Sequence, residues 1–291
     1  VKTDCNGRYV YLNPRRGAQI AVAEAARNVV CAGGEPLAIT NCLNFGNPYK
    51  PEVYWTFARS IEGMGDACRA LGTPVTGGNV SFYNEHPEGA VYPTPTIGML
   101  GLVEDVEQHA TTAAFQDAGD AIFLLTPAAW AHRNDIGGSE YVAHVHNQVT
   151  GNAPHLDLDE EVAVQRAMLQ LIREGLVASA HDVSEGGLAV CLAESAIFAE
   201  TLGADVNLEV GDVRLDGVLF GEAQSRIVFS VPASEANAVS AWMDGQPVQA
   251  LPIGTVTDGP LRISVNDRPV VEAAPSEVAK RYEEAIPSRM Q

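Results

Sequence analysis

Cations are scarce in this chain. Lys and Arg total 18 against 37 Asp and Glu, a formal net charge of −19 over 291 residues. A nucleic-acid binder carries a basic footprint, so that class is excluded. An anionic ligand is still allowed if metal ions, backbone N–H groups or a partner's cations offset the acidity. Long apolar runs are also missing: none reaches the roughly 18 residues a membrane span needs, and "VKTDCNGRYVYL" does not read as a signal peptide. The five cysteines are odd in number and never form C-x-x-C. Cys31, Cys42, Cys68 and Cys191 lie in apolar segments, which predicts buried free thiols and a reducing cytoplasm. There is no Gly-Lys-Ser/Thr phosphate loop, no G-x-G-x-x-G and no H-E-x-x-H.

What remains is a globular composition, 46% hydrophobic and 19% charged, in a chain longer than one core usually serves. Two domains are expected, 1–107 and 108–291, divided near Glu107 where periodicity fades. The chain starts at Val1, which reads either as a trimmed start or as a piece of a longer protein.

Local patterns alternate between strand and helix, an α/β (α+β) class. "PRRGAQIAVAEAARNVVCAGG" predicts a helix over 17–32, stopped by Gly33-Gly34. "LAITNCL" predicts a buried strand. Pro51 opens a helix with Val53, Phe57, Ile61, Met64, Cys68 and Leu71 on one buried face. "TPVT" is a short strand leading into a Gly77-Gly78 loop, and "TPTIGMLGLVED" is another strand. Beyond the boundary, strands at "AIFLLTP", "LVASAHDV", "RIVFSV", "VQALPIGTV" and "LRISV" are interspersed with helices. One of these helices starts at Asp157 or Asp159 and closes at Gly175.

Four clusters could carry chemistry. Gly77-Gly78-Asn79-Val80-Ser81 could present N–H groups to phosphate, with Asn79 offering Mg²⁺ a carbonyl oxygen. Its plain alternative is a turn. Glu24 and Asn28 share a helix face at i, i+4 and with Asp4 would suit Mg²⁺; the alternative is a solvated face. In "SAHDVSEGG", Asp182 ends a strand as a possible metal ligand, Ser184 could cap the next helix, and His181 reads as either structural or catalytic. In "GEAQSR", Glu222, Gln224 and Arg226 could face a cleft.

Five motifs, "DCNGRYVYLNP", "AVAEAARNVVCAGGEPLAITNCLNFGNP", "GGNVSFYNE", "YPTPTIGMLGL" and "SAHDVSEGGLAV", together resemble the phosphoribosylformylglycinamidine synthase family of purine biosynthesis, small PurL type. The resemblance covers essentially the whole chain and matches the second of that family's two repeats. It implies an aminoimidazole-ribonucleotide-synthetase-like (PurM-like) repeat, with an N-terminal mixed sheet and helices and a C-terminal α/β domain. It also implies a cytoplasmic ATP- and Mg²⁺-dependent ligase that converts formylglycinamide ribonucleotide to the amidine. The ammonia would come from a PurQ-type glutaminase subunit docked with a PurS-type protein. By this resemblance Asn41 and Gly78 contact ATP, Asn79 holds Mg²⁺ and Ser81 touches the substrate. Asp4, Glu24, Asn28 and Asp182 match the metal ligands of a pseudo-symmetric second site. Asn6 stands where the family's first repeat has a histidine base, so this half supplies no catalytic base. The alternatives are another enzyme of the same superfamily (aminoimidazole ribonucleotide synthetase, selenophosphate synthetase or thiamine-phosphate kinase) or a non-catalytic nucleotide-binding scaffold half.

Overall fold

The computed structural model describes residues 1–87, 89–128 and 135–290. The N-terminal elements are β1 (Lys2–Asp4), α1 (Gly7–Leu12), α2 (Pro14–Cys31), β2 (Glu35–Asn44), α3 (Pro51–Leu71), β3 (Val75–Ser81), β4 (Glu85–His86), β5 (Gly89–Ala90), β6 (Thr94–Leu102) and α4 (Val106–His109). Their main sheet runs β1-β6-β2-β3, with β2 and β3 parallel and the other pairs antiparallel.

Helix α2 begins three residues earlier than its pattern suggested. Asn13 caps it by accepting from Arg16 N at 3.1 Å, and Pro14 occupies the first turn, where its missing N–H costs nothing. Alanines 18, 21, 25 and 26 then let α2 lie flat on the sheet beside α3 in one core with Ile39, Leu43, Ile97 and Met99. The approach of the two helices is close enough that a Cβ on Gly63 would stand 2.0 Å from Arg15 O. Helix α3 stops at Gly72, whose φ of 71° no β-branched residue would tolerate. Ile61, expected on the buried face, is exposed, and Ser60, Gly63 and Ala67 are buried instead. The facing helix leaves room only for small side chains along that stripe.

Two further expectations are corrected here. Strand β2 is not buried on both faces: Ile39 and Leu43 are covered, whereas Thr40 and Cys42 are exposed. Helices cover only one side of this sheet, so the Cys42 thiol points to the open side. The Gly77-to-Ser81 segment is not a loop. It continues β3 as the sheet's edge strand.

The C-terminal elements are β7 (Ala121–Pro127), α5 (Glu140–His146), α6 (Leu158–Arg173), β8 (Ser179–Asp182), α7 (Gly187–Phe198), β9 (Gly203–Leu208), α8 (Leu215–Phe220), β10 (Ile227–Val231), α9 (Ala236–Trp242), β11 (Val248–Thr257), β12 (Leu261–Val265), β13 (Arg268–Ala273) and α10 (Pro275–Glu284). The sheet runs β13-β12-β9-β11-β7-β10-β8. Strands β7 and β10 are buried on both faces, as their unbroken apolar runs require. Ile122, Leu124 and Val228 pack under α7 and α8. Phe123, Leu125 and Phe229 pack under α6. Phe123 and Phe229 are register partners and stack with ring centroids 5.4 Å apart. Asp157 caps α6, accepting from Asp159 N and Glu160 N. Ser184 does not cap α7. Gly186 takes that position in a left-handed conformation, with its N–H donated to Glu222 Oε1 at 2.8 Å.

Helix α2 joins the two halves. Its C-terminal residues Val30 and Cys31 sit in the same core as α6, and this seam positions the polar residues described next.

Candidate metal and nucleotide site

A charged residue on an alanine-rich helix ordinarily faces water. In α2 the reverse holds: Glu24 is 2% exposed and Arg27 fully buried, so the solvated-face alternative for Glu24 fails. Arg27 Nη1 donates to both carboxylate oxygens of Glu161 at 2.8 Å, and Nη2 donates to Gln224 Oε1 at 2.8 Å and Glu24 Oε2 at 3.3 Å. Ser225 Oγ and Gln165 Nε2 also donate to Glu161, at 2.6 and 2.7 Å. Glu222, Gln224 and Arg226 are buried, and Arg226 borders a cavity of about 510 Å³ in the C-terminal part of the chain. Glu222 accepts from Tyr9 Oη, Gly186 N and Glu140 N, and burial pushes its carboxyl up to about 7.

Around Glu24 the chain gathers more acids. Asp4 at the end of β1, Glu24 and Glu185 each present a carboxylate oxygen within 4.8 Å of the others. Burial raises the Asp4 and Glu24 carboxyls well above their usual range, and the neighbouring carboxylates raise them further. The Glu185 carboxyl is raised mainly by burial as well. Asp182 behaves differently. Burial is its largest single influence and acts upward, but the His181 hydrogen bond and the charges of Arg27 and His181 outweigh it and lower its pKa. Asn28 Nδ2 donates to Asp182 Oδ2 at 3.2 Å, which brings the third and fourth expected ligands together. His181 spans Asp182 and Glu194 (Nε2 to Oε2, 3.2 Å). Beside this group lies a cavity of about 430 Å³ bordered by Lys2, Asn28, Thr112, His181, Asp182 and Glu194.

Such a set of hard oxygen donors fits a divalent cation such as Mg²⁺. Three carboxylates held this close repel one another unless protonated or bridged by a cation. Glu185 had escaped the sequence reading. Its signal was its place between strand-end Asp182 and the glycines that open α7. Arg27 and Glu161 left no signal, because charged residues in helices ordinarily read as surface.

Asn6 has both ends of its amide engaged. Oδ1 caps α1 by accepting from Arg8 N and Tyr9 N, and Nδ2 donates to Glu185 Oε1 at 3.3 Å.

The other expected residues lie on the sheet. Asp4, Ile97, Asn41 and Gly78 form one register row across all four strands. Register partners share a face, so Asn41 lies on the side covered by helices, between Ile39 and Leu43. A Cβ on Gly78 would stand 2.2 Å from Asn41 Oδ1 and 2.5 Å from Asn41 O. Strand pairing by itself therefore requires a glycine here. Asn79 and Ser81 project from the opposite, open face, where Asn79 Nδ2 donates to Ser81 Oγ at 3.2 Å. The structure thus brings Asn41 to Gly78 and Asn79 to Ser81, with the two pairs on different faces of the sheet.

Comparison with known proteins settles the family. Residues 1–103 match the AIR synthase related protein, N-terminal domain, and residues 117–266 match the corresponding C-terminal domain. The chain belongs to the AIR synthase related family. This AIR synthase related chain is 64% identical over 288 residues to phosphoribosylformylglycinamidine synthase subunit PurL of Salinibacter ruber, covering 99% of this chain and 38% of that protein. It is 48% identical over 301 residues to the subunit of the same name from Symbiobacterium thermophilum, again covering 99% and 38%. The chain therefore spans well under half the length of the curated relatives it matches. Among solved structures, T. maritima PurL complexed with FGAR superposes with a TM-score of 0.77 at 20% identity, covering 96% of this chain and 45% of that one. A HypE–HypF complex gives 0.66 at 17% identity, covering 88% and 84%. These superpositions show the shared α/β fold of the family.

Proposed function

We propose that this chain is the second repeat of a phosphoribosylformylglycinamidine synthase of the PurL type. The observation that carries this reading is the 64% identity over 99% of the chain to a subunit of that name. The complete enzyme would use ATP to activate the formyl oxygen of formylglycinamide ribonucleotide, which glutamine-derived ammonia then displaces. Solved PurL structures complexed with ATP and with FGAR, and a PurLQS assembly, support nucleotide, substrate and the glutaminase and PurS-type partners. The domain division near Glu107 is part of the same reading, and the family matches that end at 103 and begin again at 117 support it.

In this proposal Asn41 and Gly78 line the ATP side of the edge strand, Asn79 offers a metal ligand and Ser81 touches the ribonucleotide. Asn79 and Ser81 are well oriented for contacts outside the chain, because they stand on the uncovered face. That face also carries Thr3, Thr40, Thr96 and Gly98, small residues that let another sheet approach, together with Leu100, which is 51% exposed. The first repeat of the same enzyme is the proposed occupant.

At the second site, Asp4, Glu24 and Glu185 would hold Mg²⁺, with Asn28 and Asp182 beside them. When bound there, the metal neutralises carboxylate and phosphate charge. Asp182 stays ionised between Arg27 and His181, and the amide of Asn6 holds Glu185 in place. Asn6 cannot take up a proton at neutral pH, so the general base belongs to the other repeat. No helix among the described residues is long and apolar enough to cross a membrane, which is compatible with a cytoplasmic enzyme.

The test is a steady-state assay with ATP, Mg²⁺, ammonia and formylglycinamide ribonucleotide. The full-length protein is expected to turn over and the 291-residue chain alone is not. Failure of the full-length protein, or enzyme-like turnover by this chain alone, would overturn the proposal.

A further inference from the structure

Two successive glycines follow Glu185, and both are left-handed: φ is 82° at Gly186 and 72° at Gly187. Glycine has more backbone freedom than any other residue, so a pair of them forms a hinge. A carboxylate attached to such a hinge would wander unless the hinge were tied down. The structure ties it at both glycines. Gly187 lies against the turn between α8 and β10, where a Cβ would stand 2.7 Å from Gly221 O. Gly186 N donates to Glu222 Oε1 at 2.8 Å.

Glu222 is fully buried and collects donors from three elements. Besides Gly186 N at the start of α7, Oε1 accepts from Glu140 N at the start of α5, at 2.8 Å, and Oε2 accepts from Tyr9 Oη of α1. Three donors converging on one buried point call for a group rich in lone pairs, and a carboxylate provides them. With its oxygens so engaged, Glu222 acts through its neighbours and not as a cation ligand. Two of its three bonds lead to Glu185. One is direct, because Gly186 is the next residue in the chain. The other runs through α1. Tyr9 anchors that helix, and Asn6, its capping residue, donates Nδ2 to Glu185 Oε1 at 3.3 Å. The third bond braces the second, because Arg8 of α1 forms an ion pair with the side chain of Glu140.

We propose that Glu222 is a positioning residue of the cation site, fixing the Gly186 hinge and α1 so that Glu185 meets Asp4 and Glu24. This rests on the reading of those three converging carboxylates as holders of Mg²⁺. A group that orients a metal ligand without touching the metal typically contributes on the order of tenfold to a hundredfold in affinity. Truncating Glu222 leaves Glu185 on a free hinge, and the cation then has to order that hinge as it binds.

The experiment is Mg²⁺ titration calorimetry on the full-length protein, with Glu24→Gln marking which binding component belongs to this site. Glu222→Ala should weaken that component by on the order of tenfold or more. Glu222→Gln should retain most of the parent affinity, because its Oε1 accepts both N–H groups and its Nε2 can donate to Tyr9 Oη. Tyr9→Phe cuts only the α1 tether and should weaken binding by a smaller factor. Val239→Ala truncates the core under α9 and should lower the melting temperature without weakening Mg²⁺, which separates positioning from general loss of stability. The proposal is overturned if Glu222→Ala leaves the component intact, if Glu222→Gln loses as much as Glu222→Ala, or if Val239→Ala weakens Mg²⁺ equally. Where Glu222→Ala does not fold, parent affinity in Tyr9→Phe overturns it. If Glu24→Gln removes no component, the cation-site reading fails and this proposal with it.

Discussion

Arg27 Nη1 lies 2.8 Å from both carboxylate oxygens of Glu161, across the seam between α2 and α6. Neither side chain touches solvent. The pair thus ties the N-terminal sheet to the C-terminal domain through one fully desolvated contact and holds α2 at the rotation that points Glu24 at Asp4. Removing one partner leaves the other charged and buried, which costs about 3–5 kcal/mol. Arg27→Met should lower unfolding stability by that amount. Adding Glu161→Met should recover part of the loss, because two apolar groups replace two ions. Denaturant melts of the parent chain, both single variants and the double variant measure the coupling. Strict additivity would mean that the contact is not a functional pair.

Glu222 makes stability depend on pH. Burial raises its folded pKa to about 7, above an unfolded value of about 4.3. The folded state therefore binds the proton more tightly. Its contribution is fully present below about pH 4.3 and is lost as pH rises through about 7. Glu222→Gln keeps an acceptor for Gly186 N and Glu140 N but cannot ionise. The variant should show a flatter fall of melting temperature between roughly pH 5 and 8 than the parent. An unchanged slope would reject this assignment.

The raised carboxyls of Asp4 and Glu24 couple the proposed cation site to protons. With both pKa values above the unfolded range, Mg²⁺ must displace protons to bind. The melting-temperature gain on adding Mg²⁺ should be larger at alkaline than at mildly acidic pH. Glu24→Gln should reduce the gain at both. Equal gains at the two pH values, or an undiminished gain in Glu24→Gln, would show that the cation binds elsewhere.

The two adjacent glycines of β3 should respond differently to alanine. Gly78→Ala forces a Cβ into Asn41 at 2.2 Å and takes a non-glycine residue to φ +152°. It should destabilise by roughly 1–3 kcal/mol. Gly77→Ala meets only Thr40 Oγ1, at 3.9 Å, and should change stability by no more than about 0.5 kcal/mol. Thermal melts of both variants separate a strand-pairing requirement from a general need for flexibility.

Asn79→Ala tests the open face in the complete enzyme. The side chain is exposed and, among the described residues, bonds only to Ser81 Oγ, so the melting temperature should hardly move. If Asn79 holds Mg²⁺ at the triphosphate, kcat should fall on the order of a hundredfold or more. Normal kcat with a lowered melting temperature would make the residue purely structural.

Much of the architecture was readable from pattern alone, because helix and strand periodicities are local. Pro51 marked the start of α3, Asp157 or Asp159 the start of α6, and the apolar run "AIFLLTP" marked β7 as a strand. The quoted motifs also carried the family resemblance without any coordinates. Orientation was not local. Whether Gly78 and Asn79 formed a loop or an edge strand depended on pairing with β2, more than thirty residues away in sequence. The sequence identified Glu24, Asn28, Asp4 and Asp182 as oxygen donors, but only packing could add Glu185 and bury Arg27 against Glu161. A charged side chain is polar in any local window. It becomes buried, paired or pKa-shifted only when distant segments exclude water around it, and that exclusion is a property of the assembled fold.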